Sequence, residues 1–230
     1  MTRIRFQQSL DELKENLLVM AGLAEQAIQR AIEAYRVRDL SICDLVSRSE
    51  NAINRLERDI DQSALDLLAM EQPMAIDLRF ILSVIKINAD LERVGDAAKS
   101  ISDRVRSMEQ MAVADLPVDI PRMATLATEM VRKSLQAFIE ADAETARGVL
   151  TMDDAVDTMN RAAYKALTKV MEEQSHIAPQ ALNALMISRS LERVADHATN
   201  IAEDVIFWVQ GDDVRHHKSL VAQKDGKNVS

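Results

Sequence analysis

The sequence predicts an all-α protein made of two tandem, structurally similar three-helix bundles, six long helices in total. Three observations carry this expectation. Glycine and proline number only 5 and 4 in 230 residues, so long stretches run without a helix breaker. Apolar residues recur at spacings of three and four, the period of a helix with one buried face. Finally, Leu91-Glu92-Arg93-Val94-Gly95-Asp96 returns one hundred residues later as Leu191-Glu192-Arg193-Val194-Ala195-Asp196, which points to an internal duplication.

The helices are expected at 6–37, 40–70, 74–112, 121–142, 143–173 and 180–210. The first opens the first unit as its long connecting helix. The second carries an apolar seam of Ile42, Val46, Ser49, Ile53, Leu56 and Ile60, and Pro73 marks the turn after it. The third has its seam at Val84, Ile87, Leu91, Val94, Ala98, Ile101 and Val105, the spacing of a bundle interface. Val113 to Pro121, framed by Pro117 and Pro121, is the least helical stretch and the expected boundary between units. The fourth helix begins the second unit. The fifth has Val149, Met152, Val156 and Met159 as its seam, and Pro179 marks the turn that follows. The sixth carries Leu191, Val194, Ala198, Ile201 and Val205 and ends at Gly211, a residue suited to the left-handed C-cap. The expected units are therefore 1–112 and 121–217, followed by a polar tail at 218–230.

Composition bounds what such a scaffold does. Apolar residues form 47% and charged residues 28% of the chain, a globular balance. Aromatics at 3% disfavour sandwiches and barrels. A formal charge of −9 argues against nucleic-acid binding, which needs a basic face to displace counterions. Cys43 is the single cysteine, so no internal disulfide forms and a reducing compartment is expected. The apolar run Phe80 to Ile85 ends at Lys86, far short of a membrane span. The amino terminus reaches polar Gln7 and Gln8 without an apolar signal core. A soluble cytoplasmic protein is the expectation.

An acidic line shadows each seam. Beside the third seam lie Glu92, Asp96 and Asp103, and beside the sixth lie Glu192, Asp196 and Glu203. The second helix adds Glu50, Asn54, Glu57 and Asp61, and the fifth adds Asp153, Asp157 and Asn160. Carboxylates at i and i+4 sit about 6 Å apart on one face and repel each other. Two such pairs facing across a helix interface suit a hard or borderline cation, or two cations about 3.5–4 Å apart. The bland alternative stays open. Acidic pairs are common on solvated helices, and Arg93 and Arg193 are placed to neutralise their neighbours.

Other residues say less. Gly95 inside a helix costs about 1 kcal/mol against alanine, and close helix approach is the expected reason. His197 beside Asp196 fits a surface or capping role better than a ligand role, and His176, His216 and His217 are expected near helix ends. Met152 and Met159 read as core fillers. Ile206-Phe207-Trp208-Val209 reads as local packing ahead of a partner contact. No GxxxxGK[ST], G-x-S-x-G, HExxH or CxxC motif appears, and Glu173-x-x-His176 alone does not make a ferritin-like centre. No enzymatic constellation is expected.

At the repeated Leu-Glu-Arg-Val-(Gly/Ala)-Asp motif, and from residue 6 to about 217, the chain resembles the PhoU family of bacterial phosphate-transport regulators. The resemblance implies two similar bundles, a homodimer, and multinuclear metal clusters held by E(D)xxxD pairs. Iron is the first expectation, with Zn, Mn, Mg or Ni as alternatives. Carried over, one cluster would use Glu50, Asn54, Glu92 and Asp96, and the other Asp153, Asp157, Glu192 and Asp196. This chain departs in its first unit. There, Asn54 replaces a carboxylate, while Ala97 and Ser100 stand where the second unit has His197 and Asn200. A weaker first site is therefore expected. The resemblance also implies a negative regulator linking the cytoplasmic component of a phosphate ABC transporter to a sensor histidine kinase. It would be peripheral at the inner face of the membrane through those partners. A metal-free adaptor with acidic docking faces is the alternative.

Overall fold

The computed structural model describes residues 3–214. All of its regular elements there are helical. They are α1 (Arg3–Val37), α2 (Leu40–Glu71), α3 (Ile76–Ser107), α4 (Ile120–Glu140), α5 (Ala143–Leu150), α6 (Asp153–Glu173) and α7 (Ala178–Gln210), with one 3₁₀ turn (Ser175–Ile177) before α7. Helices α1, α2 and α3 pack on one another as the first bundle, and α4, α5–α6 and α7 form the second. His216, His217 and the tail at 218–230 lie outside the described residues.

The repeat is written into the turns. Arg38 and Ala141 both take the left-handed conformation, with φ of 58° and 52°. Each is followed by an N-capping aspartate. Asp39 accepts from the Ser41 amide at 2.8 Å, and Asp142 accepts from the Glu144 amide at 2.9 Å. Such caps satisfy amides that the first helical turn leaves open. Thr145 also donates to Asp142, and that bond heads the causes holding the Asp142 carboxyl below its ordinary range. The same register carries through the seams, where buried Ile53, Ile60, Ala64 and Leu67 of α2 answer to Val156, Ala163, Leu167 and Val170 of α6.

Two expected helices end differently. The third stops at Ser107, not 112. Met108 folds into the core at 1% exposure, and Arg38 donates from Nη1 to its carbonyl at 3.1 Å, capping the end. The fifth is divided at Thr151-Met152. There the Thr151 hydroxyl donates to the Gly148 carbonyl at 2.8 Å, and the Met152 amide bonds to Val149 at 2.9 Å. A threonine hydroxyl competing for backbone carbonyls, one turn after a glycine, tightens the helix into a three-residue turn. As a result, Asp153 becomes the first residue of a new helix, at its positive dipole end. Pro179 sits inside the first turn of α7, where a missing amide costs nothing. Gly211 ends α7 with φ of 81°, its amide bonded to Phe207 at 2.8 Å.

The two bundles share one continuous core, which includes residues of α1, α2, α3, α4, α5, α6 and α7. Helices α3 and α7 cross antiparallel, so Arg79 meets Trp208, Ser83 meets Asp204 and Asp90 meets His197. Phe80, Phe138 and Trp208 close the seam with ring centroids 5.2–5.9 Å apart. Lys86 donates to Asp204 at 3.0 Å and lies 5.0 Å from the Phe207 ring. The aromatics of α7 therefore serve inter-unit packing.

Candidate metal centre

In the second unit, α6 and α7 bring three of the expected ligands together. Asp153, Asp157 and Asp196 each offer one carboxylate oxygen, all within 4.8 Å of one another. Glu192 stands one turn from Asp196 on α7 and raises its pKa by charge. Asp196 is pushed up to about 6, first by burial and then by the Glu192, Asp153 and Asp157 charges, with His197 opposing. A carboxyl that resists ionisation through partial burial and then through the like charges around it marks a place where a cation would be stabilised. Arg161, one turn beyond Asp157, answers part of that charge at 3.3 Å.

The first unit is built differently. Asn54 donates to the Glu50 carboxylate at 2.6 Å, while its own Oδ1 is buried without a hydrogen-bond partner. Glu92 is pushed above the ordinary glutamate range, first by burial, then by Asp96 and Glu57, with Arg93 opposing. Arg93 pairs with Glu92 at 3.3 Å. Glu57 therefore belongs beside Glu92 and Asp96, although the sequence motif alone leaves it outside the ligand set. Its place in the stripe Glu50, Asn54, Glu57 and Asp61 is the available signal. Asp61 itself is taken up by Asn88, which donates to it at 2.8 Å. Asp103 pairs with Lys99 on an exposed face. Neither of these extends the cluster.

The donor set fits a cation. It is all oxygen, as hard or borderline metals prefer, and the orphaned Asn54 oxygen is a buried acceptor on the same helix as Glu50. His197 has another occupation. Its Nδ1 lies 2.8 Å from Asp90 of the first unit, and Asn200 donates to the same oxygen at 3.1 Å. Residues 97, 100 and 190 are Ala, Ser and Ser, so this clamp has no counterpart of the same residue types in the repeat. The difference at 97 and 100 thus falls on the junction between units.

The PhoU domain model matches the chain twice, at residues 17–105 and 120–205. The chain belongs to the PhoU family. A phosphate-specific transport system accessory protein PhoU homologue of Pseudomonas aeruginosa is 36% identical over 213 residues, covering 92% of this chain and 88% of that one. The Escherichia coli K12 accessory protein PhoU is 30% identical over 212 residues, covering 92% and 88%. The crystal structure of PhoU from Pseudomonas aeruginosa is similar at a TM-score of 0.87 and 35% identity, over 90% of this chain and all of that one. The crystal structure of the phosphate transport system regulatory protein PhoU from Streptococcus pneumoniae is similar at 0.84 and 29%, over 91% and 99%. Each PhoU match falls within one bundle, which agrees with the duplicated turns and seams.

Proposed function

We propose that this PhoU-family chain restrains phosphate uptake and the phosphate-starvation response. It acts as a metal-binding helical adaptor between the cytoplasmic component of a phosphate ABC transporter and a sensor histidine kinase. The observation that carries the reading is the match of both bundles to the PhoU domain, together with relatives named as phosphate-specific transport accessory proteins. The chain works by contact, not catalysis, as a homodimer in the cytoplasm that is peripheral to the membrane through its partners. No helix among the described residues is long and apolar enough to cross a membrane.

Glu50, Asn54, Glu57, Glu92 and Asp96 would hold metal in the first unit, and Asp153, Asp157, Glu192 and Asp196 in the second. A multivalent cation, with iron as the first choice and Zn, Mn, Mg or Ni as alternatives, would supply positive charge that relieves carboxylate repulsion and fixes α2 to α3 and α6 to α7. A metal-free adaptor is the second reading. It is favoured by the ion pairs of Arg93 with Glu92 and Arg161 with Asp157, which neutralise part of each face. Elemental analysis of protein purified without chelator or affinity tag separates the two.

The regulatory reading is tested with a starvation-gene reporter in high phosphate, comparing wild type, deletion and complemented strains. Deletion should switch the reporter on and complementation should switch it off. Unchanged output in a deletion strain that lacks any paralogue defeats the proposal.

A further inference from the structure

The far ends of the two bundles are finished differently. At the end of the second unit a small apolar cluster of Ala163, Leu167, Val170, Ala181, Ala184 and Leu185 is covered by Leu116 and Val118 of the inter-unit segment, with Met171 and Ile177. Gln180 ties the segment down by donating to the Ala112 carbonyl at 3.4 Å. At the end of the first unit the α2–α3 turn instead presents Met70, Met74 and Ile76 at 64%, 78% and 54% exposure. The repeat has Gln174-Ser175-His176 one hundred residues after Met74-Ala75-Ile76. Positions 74 and 76 are thus apolar where 174 and 176 are polar.

Beside that turn a cleft of about 200 Å³ runs between α1 and α2, with Leu13 and Leu67 on its floor and Glu12, Asp66, Met70 and Glu71 among its lining. Asp66 accepts from Gln62, and no cation pairs with any of the three acids among the described residues. Exposed methionines adapt to varied apolar surfaces, and complementary charge sets the register of docking.

We propose that the α2–α3 end of the first unit is a docking surface for a partner protein's segment that carries apolar anchors flanked by Lys or Arg. The anchors pack on Met70, Met74 and Ile76, and the basic flanks face Glu12, Asp66 and Glu71. The covered end of the second unit displays the form of such an occupant: a short stretch bent at Pro117, where the Val118 amide donates to the Leu116 carbonyl at 2.7 Å, with apolar side chains two residues apart. An anionic membrane is disfavoured, because the three carboxylates would face it. The surface deepens the adaptor reading and rests on it for a protein as the partner.

The test uses the full chain and a fluorescent peptide, Lys-Lys-Leu-Pro-Val-Lys-Lys, whose centre repeats Leu116-Pro117-Val118, with a second peptide in which every Lys is Glu. Anisotropy should show saturable, salt-sensitive binding of the first peptide only. Met74→Ser with Ile76→Ser should weaken it at least about tenfold, as should Glu12→Gln, Asp66→Asn and Glu71→Gln together. The charge-matched control, Glu109→Gln, Glu172→Gln and Glu173→Gln, should leave affinity unchanged. Since all the substituted side chains lie on the surface or in the open cleft, unchanged thermal melting checks the fold. Equal peptide affinity in all variants overturns the proposal. So does tip-dependent binding to phosphatidylglycerol vesicles without peptide binding, or a tip-dependent change in oligomeric state with peptide affinity unaltered. Failure here, with repression intact in the complemented strain, removes the surface and leaves the regulatory reading standing. An unchanged reporter in the deletion strain removes the regulatory reading whatever the peptide does.

Discussion

A Cβ placed on Gly95 would stand 2.9 Å from Cδ1 of Ile53, so a side chain at residue 95 would force the end of Ile53 to move where α2 meets α3. In the second unit the smaller Val156 occupies the position of Ile53, and residue 195 carries alanine. The pairs Ile53–Gly95 and Val156–Ala195 thus exchange volume across the same helix contact.

Gly95→Ala should therefore destabilise the chain by about 1 kcal/mol, despite alanine's better helix propensity, because overpacking outweighs it. Adding Ile53→Val should recover most of that loss. Urea denaturation of the two single variants and the double variant measures the coupling, and strict additivity would show that the residues do not clash.

Asp196 sets a pH dependence. Its folded-state pKa is raised from 3.8 to about 6, so the folded chain holds that proton more tightly than the unfolded chain. The stability it contributes is present below its ordinary pKa and is lost as pH rises to about 6. Metal-free Asp196→Asn should therefore be more stable than wild type at pH 7, by about 1 kcal/mol after discounting for solvent screening, and level with it at pH 4. Denaturant melts at the two pH values decide this.

Metal affinity should also fall below pH 6, since proton and cation compete for the same oxygens. Glu192→Ala with Asp196→Ala should remove more metal than Glu92→Ala with Asp96→Ala, because the cluster of three carboxylates within 4.8 Å lies in the second unit. Titration calorimetry and elemental analysis of both double variants measure the order. Equal losses, or a larger loss from the first-unit variant, would count against this order.

The shared core makes the two bundles one cooperative body. Phe138 is fully buried and stacks on Phe80 of the other unit, so Phe138→Ala should cost about 3–5 kcal/mol. Unfolding should remain a single transition by fluorescence and circular dichroism, with no surviving half. Two separated transitions would mean that the units fold independently.

The regulatory consequence follows the same logic. Leu191 is fully buried in the seam of α7, and Leu191→Asp would place a charge there without a built partner. It should abolish repression in the starvation reporter together with the fold. Asp196→Asn should retain the fold, separating metal loading from integrity in the same assay.

Local chemistry was enough to read the helical class, the duplication, the Gly95 approach, the Gly211 cap and the acidic lines. Each depends on periodicity or on the conformational range of one residue, and these are properties of neighbours along the chain. Four things depended on packing. The division at Thr151-Met152 places Asp153 at a helix start, because a hydroxyl and a half-buried methionine overrule an unbroken helical period. Glu57 joins Glu92 only once α2 lies against α3. His197 finds its partner in Asp90, 107 residues away. The Met74 end is bare, while the inter-unit segment lies over the apolar cluster of the other bundle. Spacing along one helix tells which side chains share a face. Which faces then meet is set by burying the apolar seams together, and that is a property of the whole folded chain.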